Sequence, residues 1–143
     1  MIHGLSMNPD DMGILGTLRE VMSYHNSRQR VLAENVANAN TPGFTPSDIS
    51  RSEFERVLNG QRSAQGFQMS TTEPGHIKIR TAGDMTFKAS ESPDSETTVN
   101  GNSVVIEEQM VRASDNRIKY ETALALYQKS LGLIRMAAKA PSP

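Results

Sequence analysis

Two long stretches, one near each end of the chain, carry apolar residues at alternating intervals of three and four positions. That rhythm places a stripe on one face of an α-helix and is typical of paired helices. The first stretch runs from Pro9 to Ala39 and the second begins near Ile106, so the rise per residue gives helices of about 45 and 50 Å. We expect a mainly α fold whose N- and C-terminal helices pack as an antiparallel, coiled-coil-like pair.

The first stripe ends in an Asn-rich segment that leads into a Pro-Gly pair. Asn35, Asn38 and Asn40 can bond the backbone groups that a helix end leaves unpaired. Pro42 cannot continue a helix, and Gly43 tolerates a positive φ. We therefore expect these residues to be structural and interfacial, fixing where the helix stops and how the chain leaves it.

The region between the stripes is rich in Ser, Thr, Gly, Pro and Glu and poor in apolar residues. It predicts an irregular middle region with a short helical turn around 52–58 and a β-hairpin over 76–88, where two alternating runs flank a turn. Residues 89–102 predict a flexible linker. The expected division is an N-terminal axial helix with its Asn-rich exit over 1–44, the middle region over 45–102 and a C-terminal axial helix over 103–143, the two helices forming one axial domain.

Composition argues against several classes of partner. The 143 residues include 15 basic and 16 acidic side chains in mixed order and no cysteine, so no basic field for nucleic acid and no disulfide is expected. No window approaches a transmembrane span, and the first ten residues lack the pattern of a cleavable signal. With 36% hydrophobic and 5% aromatic residues the chain predicts a small core. Its apolar stripes should be completed by neighbouring subunits, because a lone helix cannot bury its own stripe.

No residue pattern predicts an enzyme or a metal protein. His3, His25 and His76 lie far apart in sequence, and none has a second ligand at metal-binding spacing. Acid pairs such as Glu107-Glu108 fall at predicted helix starts, where they complement the helix dipole. His25 lies on the first stripe beside Gln29, a position that favours a polar residue fixing the register of packed helices over a ligand. We expect no catalytic residue, no cofactor and no metal.

Residues 33–44, AENVANANTPGF, resemble the N-terminal signature of the bacterial flagellar rod and hook proteins. The segment NGNSV at 100–104 and the stretch YETAL at 120–124 are similar to the start and middle of the C-terminal helix in the same family. Val105 and Gln109 depart from the family pattern, which more often has a capping residue and a Glu there. That departure predicts a second helix that frays or begins a residue or two late.

The resemblance implies a structural subunit of the flagellar basal body, one of the two short proximal rod proteins, which assembles helically into the drive shaft between membrane ring and distal rod. The implied partners are further copies of the chain, other rod proteins, the ring-side rod adaptor with the membrane ring, and the flagellar type III export apparatus. The implied location is the periplasmic part of the basal body. The other short proximal rod protein, a type III-exported adaptor or effector, and a monomeric helical hairpin stay open as alternatives.

The two stripes and the Asn-rich exit together predict the residues that meet neighbouring subunits. The predicted interface comprises Leu15, Leu18, Met22, His25, Gln29, Leu32, Asn35, Val36, Asn38, Asn40, Gly43, Phe44, Met110, Tyr120, Leu124, Tyr127, Leu131 and Ile134.

Overall fold

The computed structural model describes residues 9–68 and 86–139, with side chains over 13–60 and 86–139. This part of the chain forms, in order, α1 (Pro9–Ala37), β1 (Ser47–Asp48), α2 (Arg51–Gln68), β2 (Ser90–Glu91) and α3 (Ile106–Lys139). The fold is mainly helical, and α1 packs along α3, as the stripes predict. The two helices run antiparallel. Most of the predicted hairpin at 76–88 lies outside the described residues.

The first helix begins at Pro9, as predicted, and ends at Ala37, two residues earlier than the stripe suggests. Its last turn is closed by Asn38, whose backbone N–H and side-chain Nδ2 both donate to the carbonyl of Glu34, at 3.1 and 2.8 Å. Gly43 then adopts φ +73°, a left-handed conformation that any side chain with a Cβ disfavours. The Asn-rich segment therefore stops the helix and reverses the chain, as its composition predicts.

A small sheet of two strands, each two residues long, joins the two ends of the middle region beside the helix pair. β1 and β2 pair antiparallel, with Ser47 opposite Glu91. The prediction of a flexible linker over 89–102 is wrong, because Asp94 and Asn102 are buried in the structure. Asn102 Nδ2 donates to the carbonyls of Asn38 and Thr41, at 3.0 and 2.6 Å. Hydrogen bonds of polar side chains to distant backbone, which composition does not reveal, offset the entropy of ordering this segment.

A helix of 18 residues, α2, occupies the place where the sequence predicts only a short helical turn. Ser50 caps it by accepting the N–H of Glu53 at 3.1 Å, and Glu53 in turn pairs with Arg56 at 2.7 Å. Phe54 anchors it on α1 through a ring contact with Tyr24, whose centroid lies 4.9 Å away. Capping, local ion pairs and one aromatic contact extend the helix despite its low apolar content.

The third helix begins at Ile106, and the predicted late start is wrong. The carboxylate of Asp94, from the preceding segment, accepts the N–H of Val105 at 2.8 Å and so replaces a local cap. The face that packs on α1 carries the buried residues Gln109, Asn116 and Ala123. Met110 and Leu124 of the predicted interface each lie one position further along the chain than a buried residue, and Met110 is 62% exposed.

The core is small, as the composition predicts. Among the residues whose side chains are described, the buried apolar ones are Leu15, Tyr24, Leu32, Ile49, Val104 and Ala123. Those in α1 and α3 are interspersed with buried polar residues, which hold the helices together through side-chain hydrogen bonds. None of the helices in the described range has the length and apolar content needed to cross a membrane.

Candidate functional site

Where α1 ends and α3 begins, a buried hydrogen-bonded chain connects them. Asn35 exchanges two bonds with the backbone of Ser47, and its Nδ2 also donates to Oε1 of Gln109 at 3.0 Å. Gln109 Nε2 donates to both carboxylate oxygens of Asp94, at 2.9 and 3.1 Å. The network thus joins four segments of the chain and leaves each buried amide and carboxylate with a partner.

A second polar contact lies about two to three turns further along the pair. Asn116 Nδ2 donates to the carbonyl of His25 at 2.8 Å and to Oε1 of Gln29 at 2.9 Å, so its Oδ1 is left to accept from His25 Nδ1, 2.7 Å away. The imidazole therefore carries its proton on Nδ1. Burial lowers the pKa of His25, and the hydrogen bond to Asn116 opposes that shift. The neutral imidazole is a register contact between the helices, as predicted.

An aromatic cluster joins α1 to α2 and to the chain returning from the middle region. Tyr24 packs against Phe54 and Phe87 with ring centroids 4.9 and 5.7 Å away, and against His25 at 4.9 Å. Its hydroxyl donates to the carbonyl of Ile49 at 2.7 Å. Burial raises the pKa of Tyr24. Tyr24 is one of the residues that hold the middle region on the axial pair.

A half-buried ion pair lies beside this cluster. Arg28 contacts both carboxylate oxygens of Asp48, at 2.8 and 3.1 Å. The hydrogen bond to Asp48 raises the pKa of Arg28. Arg112 on α3 approaches Asp48 at 3.8 Å and Asp94 at 3.5 Å, so two arginines and two carboxylates tie the sheet to both helices. The contact of Arg28 with Asp48 has the bidentate geometry that arginine forms best with a carboxylate.

Two clefts flank His25, with volumes of about 380 and 400 Å³. One is lined by Gln29, Asn116 and Tyr120, and the other by Tyr24, Arg28 and neighbouring residues. The second cleft also contains Asp48 and Ser50, but Asp48 is paired with Arg28, and the Ser50 hydroxyl oxygen accepts the N–H of Glu53 at the start of α2. Within the part of the chain that the structure describes, no group of three or more His, Cys, Asp or Glu side chains could hold a metal ion.

The predicted interface residues fall into three groups by exposure. Four are buried within the chain itself: Leu15, His25, Leu32 and Asn35. The half-buried residues are Leu18, Met22, Asn38, Phe44, Tyr120, Leu124, Tyr127, Leu131 and Ile134. The exposed residues are Gln29, Val36, Asn40, Gly43 and Met110. The first group holds the chain's own helix pair together, and a contact of any of these residues with a neighbouring subunit stays a prediction.

Sequence reasoning missed several residues that organise the pair. Asp94 and Asn102 lie in a segment whose composition indicates a linker. Gln109 and Asn116 are polar residues one position away from the apolar stripe that the sequence predicts for the packed face of α3. A signal was present, because Gln109, Asn116 and Ala123 are spaced by seven residues, one heptad apart. Small and polar side chains at that spacing indicate the packed face of a helix when the partner helix carries polar residues that can form hydrogen bonds with them.

Comparison with known proteins finds similarity in the helix pair and in the Asn-rich exit. Residues 17–45, which cover most of α1 and the Asn-rich exit, match the family described as Flagella basal body rod protein. The chain is 33% identical over 109 residues to the flagellar basal body rod protein FlgB of Proteus mirabilis strain HI4320, covering 72% of this chain and 77% of that protein. The chain belongs to the FlgB family.

Two further FlgB relatives extend the match. The FlgB of Yersinia enterocolitica is 32% identical over 120 residues, covering 80% of this FlgB-family chain and 85% of that protein. The FlgB of Aeromonas hydrophila is 29% identical over 126 residues, covering 87% and 91%. Likeness over so much of both chains confirms the resemblance to flagellar rod proteins that residues 33–44 and 120–124 indicate. The chain is thus a flagellar basal body rod protein by family.

Proposed function

We propose that copies of this FlgB-family chain assemble helically into the proximal rod of the flagellum, the drive shaft that carries torque from the membrane ring to the distal rod and hook. The partners are further copies, other rod proteins, the ring-side rod adaptor and the membrane ring. The subunit reaches the periplasmic space through the flagellar type III export apparatus. Its role is mechanical, with no catalytic step and no cofactor.

The observation that carries this proposal is the amount of apolar surface left on the helix pair after α1 and α3 have packed. Val36 at the end of α1 is 39% exposed and Met110 at the start of α3 is 62% exposed. Both belong to the predicted interface. Exposed apolar side chains along two long helices are typical of a subunit that buries them against neighbours in an assembly.

Torque transmission also suits this architecture. Long helices packed against many copies spread a load over many contacts, none of which has to be strong. Within each copy, the bonds of Asn35 to Gln109 and of His25 to Asn116 oppose sliding of one helix along the other.

Aspartate substitutions at exposed interface positions test the proposal. Val36→Asp and Met110→Asp should leave folding intact, because both side chains are accessible in the single subunit, but should block rod assembly by burying an unpaired charge. Val99→Asp is the matched control, since Val99 is fully exposed and lies outside the predicted interface. The measurement is motility together with the amount of subunit in purified basal bodies. Normal motility and incorporation of both variants would reject the proposed interface.

The Asn-rich exit needs a separate test, because it could act in export and not in assembly. Asn38→Leu removes a donor to the carbonyl of Glu34, and Gly43→Val strains the turn. Both should lower incorporation into basal bodies while secretion of the subunit continues. Secretion lost, with normal incorporation of the subunit that escapes, would make this segment an export signal.

A further inference from the structure

The sequence places a glycine directly after an asparagine at two positions, Asn59-Gly60 and Asn100-Gly101. Such a pair is chemically reactive, because the backbone nitrogen of a glycine has no neighbouring side chain to shield it and can attack the side-chain amide of the asparagine. All four residues are exposed. The two pairs therefore offer the same chemistry and differ in the backbone around them.

The first pair lies in the middle of α2. In an α-helix each N–H donates to the carbonyl four residues earlier. The helical dihedrals also hold the nitrogen of Gly60 away from the side-chain amide of Asn59. Asn59 is therefore protected for as long as α2 is intact.

The second pair lies in a tight loop shortly before α3. The N–H of Thr98 donates to the carbonyl of Asn102 at 2.8 Å, and the N–H of Gly101 donates to the carbonyl of Thr98 at 2.9 Å. Gly101 adopts φ +79°, whereas Asn100 does not have a positive φ. These features are those of a three-residue hairpin loop in which a type I turn is followed by a left-handed glycine. The third residue of a type I turn, here Asn100, has ψ of about 0°, which keeps the nitrogen of Gly101 away from Cγ of Asn100.

Contacts with the Asn-rich exit and within the loop hold Asn100 in this conformation. The N–H of Gly43 donates to the carbonyl of Asn100 at 2.9 Å, and a Cβ on Gly101 would lie 3.4 Å from Cα of Gly43. Oδ1 of Asn100 accepts the N–H of Asn102 at 3.2 Å and the hydroxyl of Thr98. An attack of Gly101 on Asn100 requires rotation about ψ and χ1 of Asn100, so these hydrogen bonds must first open.

We propose that Asn100 is a deamidation site that the contact with the Asn-rich exit protects. When the loop opens, the nitrogen of Gly101 forms a bond to Cγ of Asn100, and the side-chain nitrogen leaves as ammonia with the proton of that N–H. A five-membered succinimide ring remains. Water then adds to one of the two ring carbonyls and breaks its bond to nitrogen, and no oxidant or other co-reactant is needed.

The two products of ring opening have different effects on the fold. Addition of water at Cγ gives aspartate, which keeps the backbone and whose carboxylate can still accept from Thr98 and Asn102. Addition at the backbone carbonyl gives isoaspartate, in which the chain runs through the former side chain and is longer by one backbone atom. The carbonyl that accepts from Gly43 is then displaced, so an isoaspartyl chain cannot rebuild the contact with the Asn-rich exit.

Mass spectrometry of tryptic peptides follows both pairs in one sample, because trypsin places Asn59 in residues 57–62 and Asn100 in residues 89–112. The full chain in concentrated urea at neutral pH should convert Asn59 and Asn100 at similar rates. In intact purified basal bodies, conversion of Asn100 should be slower by about a hundredfold, since several hydrogen bonds must open together. The same basal bodies dissolved in urea should regain the fast rate.

A matched variant identifies the attacking nitrogen. Gly101→Ala in urea should largely lose conversion at Asn100, because the added methyl group hinders ring closure, while Asn59 should convert as it does in the wild type. Fragment spectra assign the change to Asn100, and chromatography separates the isoaspartyl peptide from the aspartyl one.

Three results would overturn the proposal. Conversion of Asn100 in intact basal bodies at the rate seen in urea would mean that the contacts give no protection. An Asn100 that stays unchanged in urea while Asn59 converts would mean that the pair is not reactive, and equal conversion in Gly101→Ala would mean that Gly101 is not the nucleophile. The basal-body measurement rests on the proposed function, but absence of the subunit from basal bodies would reject that function alone, because the reaction is measured separately in the isolated chain.

Discussion

Replacing Gln109 with glutamate puts two carboxylates against each other inside the protein. Gln109 is fully buried, and its Nε2 donates to both oxygens of Asp94 while its Oε1 accepts from Asn35. Glutamate keeps the size of the side chain and the bond from Asn35 but removes the donor to Asp94. Two buried carboxylates in contact cannot both stay charged, so one must hold a proton.

The free energy needed to protonate one of the two carboxylates determines how much stability the substitution removes. Two unit charges about 3 Å apart at an effective dielectric constant of about 20 repel by roughly 5 kcal/mol. Protonating one carboxyl of ordinary pKa at pH 7 takes about 4 kcal/mol, at about 1.4 kcal/mol per pH unit. The protonated pair is therefore the lower-energy state, and we expect Gln109→Glu to lower the free energy of unfolding by about 4 kcal/mol at pH 7.

Urea denaturation followed by circular dichroism at several pH values measures this loss. The folded-state pKa of the carboxylate pair is raised above the unfolded value, so the loss should be absent below about pH 4 and grow by about 1.4 kcal/mol per unit above it. The double variant Asp94→Asn with Gln109→Glu again pairs one carboxylate with one amide and should recover most of the stability. A loss below about 1 kcal/mol at pH 7, or a loss independent of pH, would refute this account of the network.

Three further outcomes follow from single residues and can be measured by urea or thermal denaturation. Leu32→Ala should lower the free energy of unfolding by about 2–5 kcal/mol because Leu32 is fully buried, while Val36→Ala, on the exposed side of α1, should change it by less than about 1 kcal/mol. Gly43→Val should lower it by about 1–3 kcal/mol through backbone strain alone, since a Cβ at Gly43 meets no atom within 4 Å, and Gly43→Asn should be better tolerated. Burial lowers the pKa of His25 in the folded protein. The wild type should therefore be most stable above the unfolded pKa of about 6.5 and lose stability as the pH falls below that value. His25→Gln should remove this part of the pH dependence.

The extent of the helix pair could be predicted because its signals are local. Pro9 marks a helix start, the Pro-Gly turn at Gly43 marks an exit, and two long stripes of three-four spacing need no knowledge of the partner. The facing side of α3 could not be predicted from apolar residues alone. Gln109 and Asn116 lie on this side because they form hydrogen bonds with Asn35 and His25 of the other helix. Such pairs can be recognised only when the relative position of the two helices is known.

The order of residues 89–102, before α3, could not be predicted for a similar reason. Asp94 and Asn102 resemble linker residues in composition. Asn102, however, binds the carbonyl of Thr41, far away in sequence, and Asp94 binds Val105 and Gln109 at the start of α3. The length of α2 was underestimated because one aromatic contact, between Phe54 and Tyr24, adds to weak local preferences. In each case a specific partner changes the outcome that composition favours.

The two polar contacts between α1 and α3 also determine how the pair deforms under load. The contact of Asn35 with Gln109 and that of His25 with Asn116 lie about 15 Å apart along α1 and about 10 Å apart along α3. Apolar side chains alone would let one helix shift by a turn and settle into similar contacts. Here the same shift breaks both sets of hydrogen bonds at once and leaves buried amides without partners. The pair should therefore stay rigid up to a threshold force and then yield abruptly, without creeping from one register to the next.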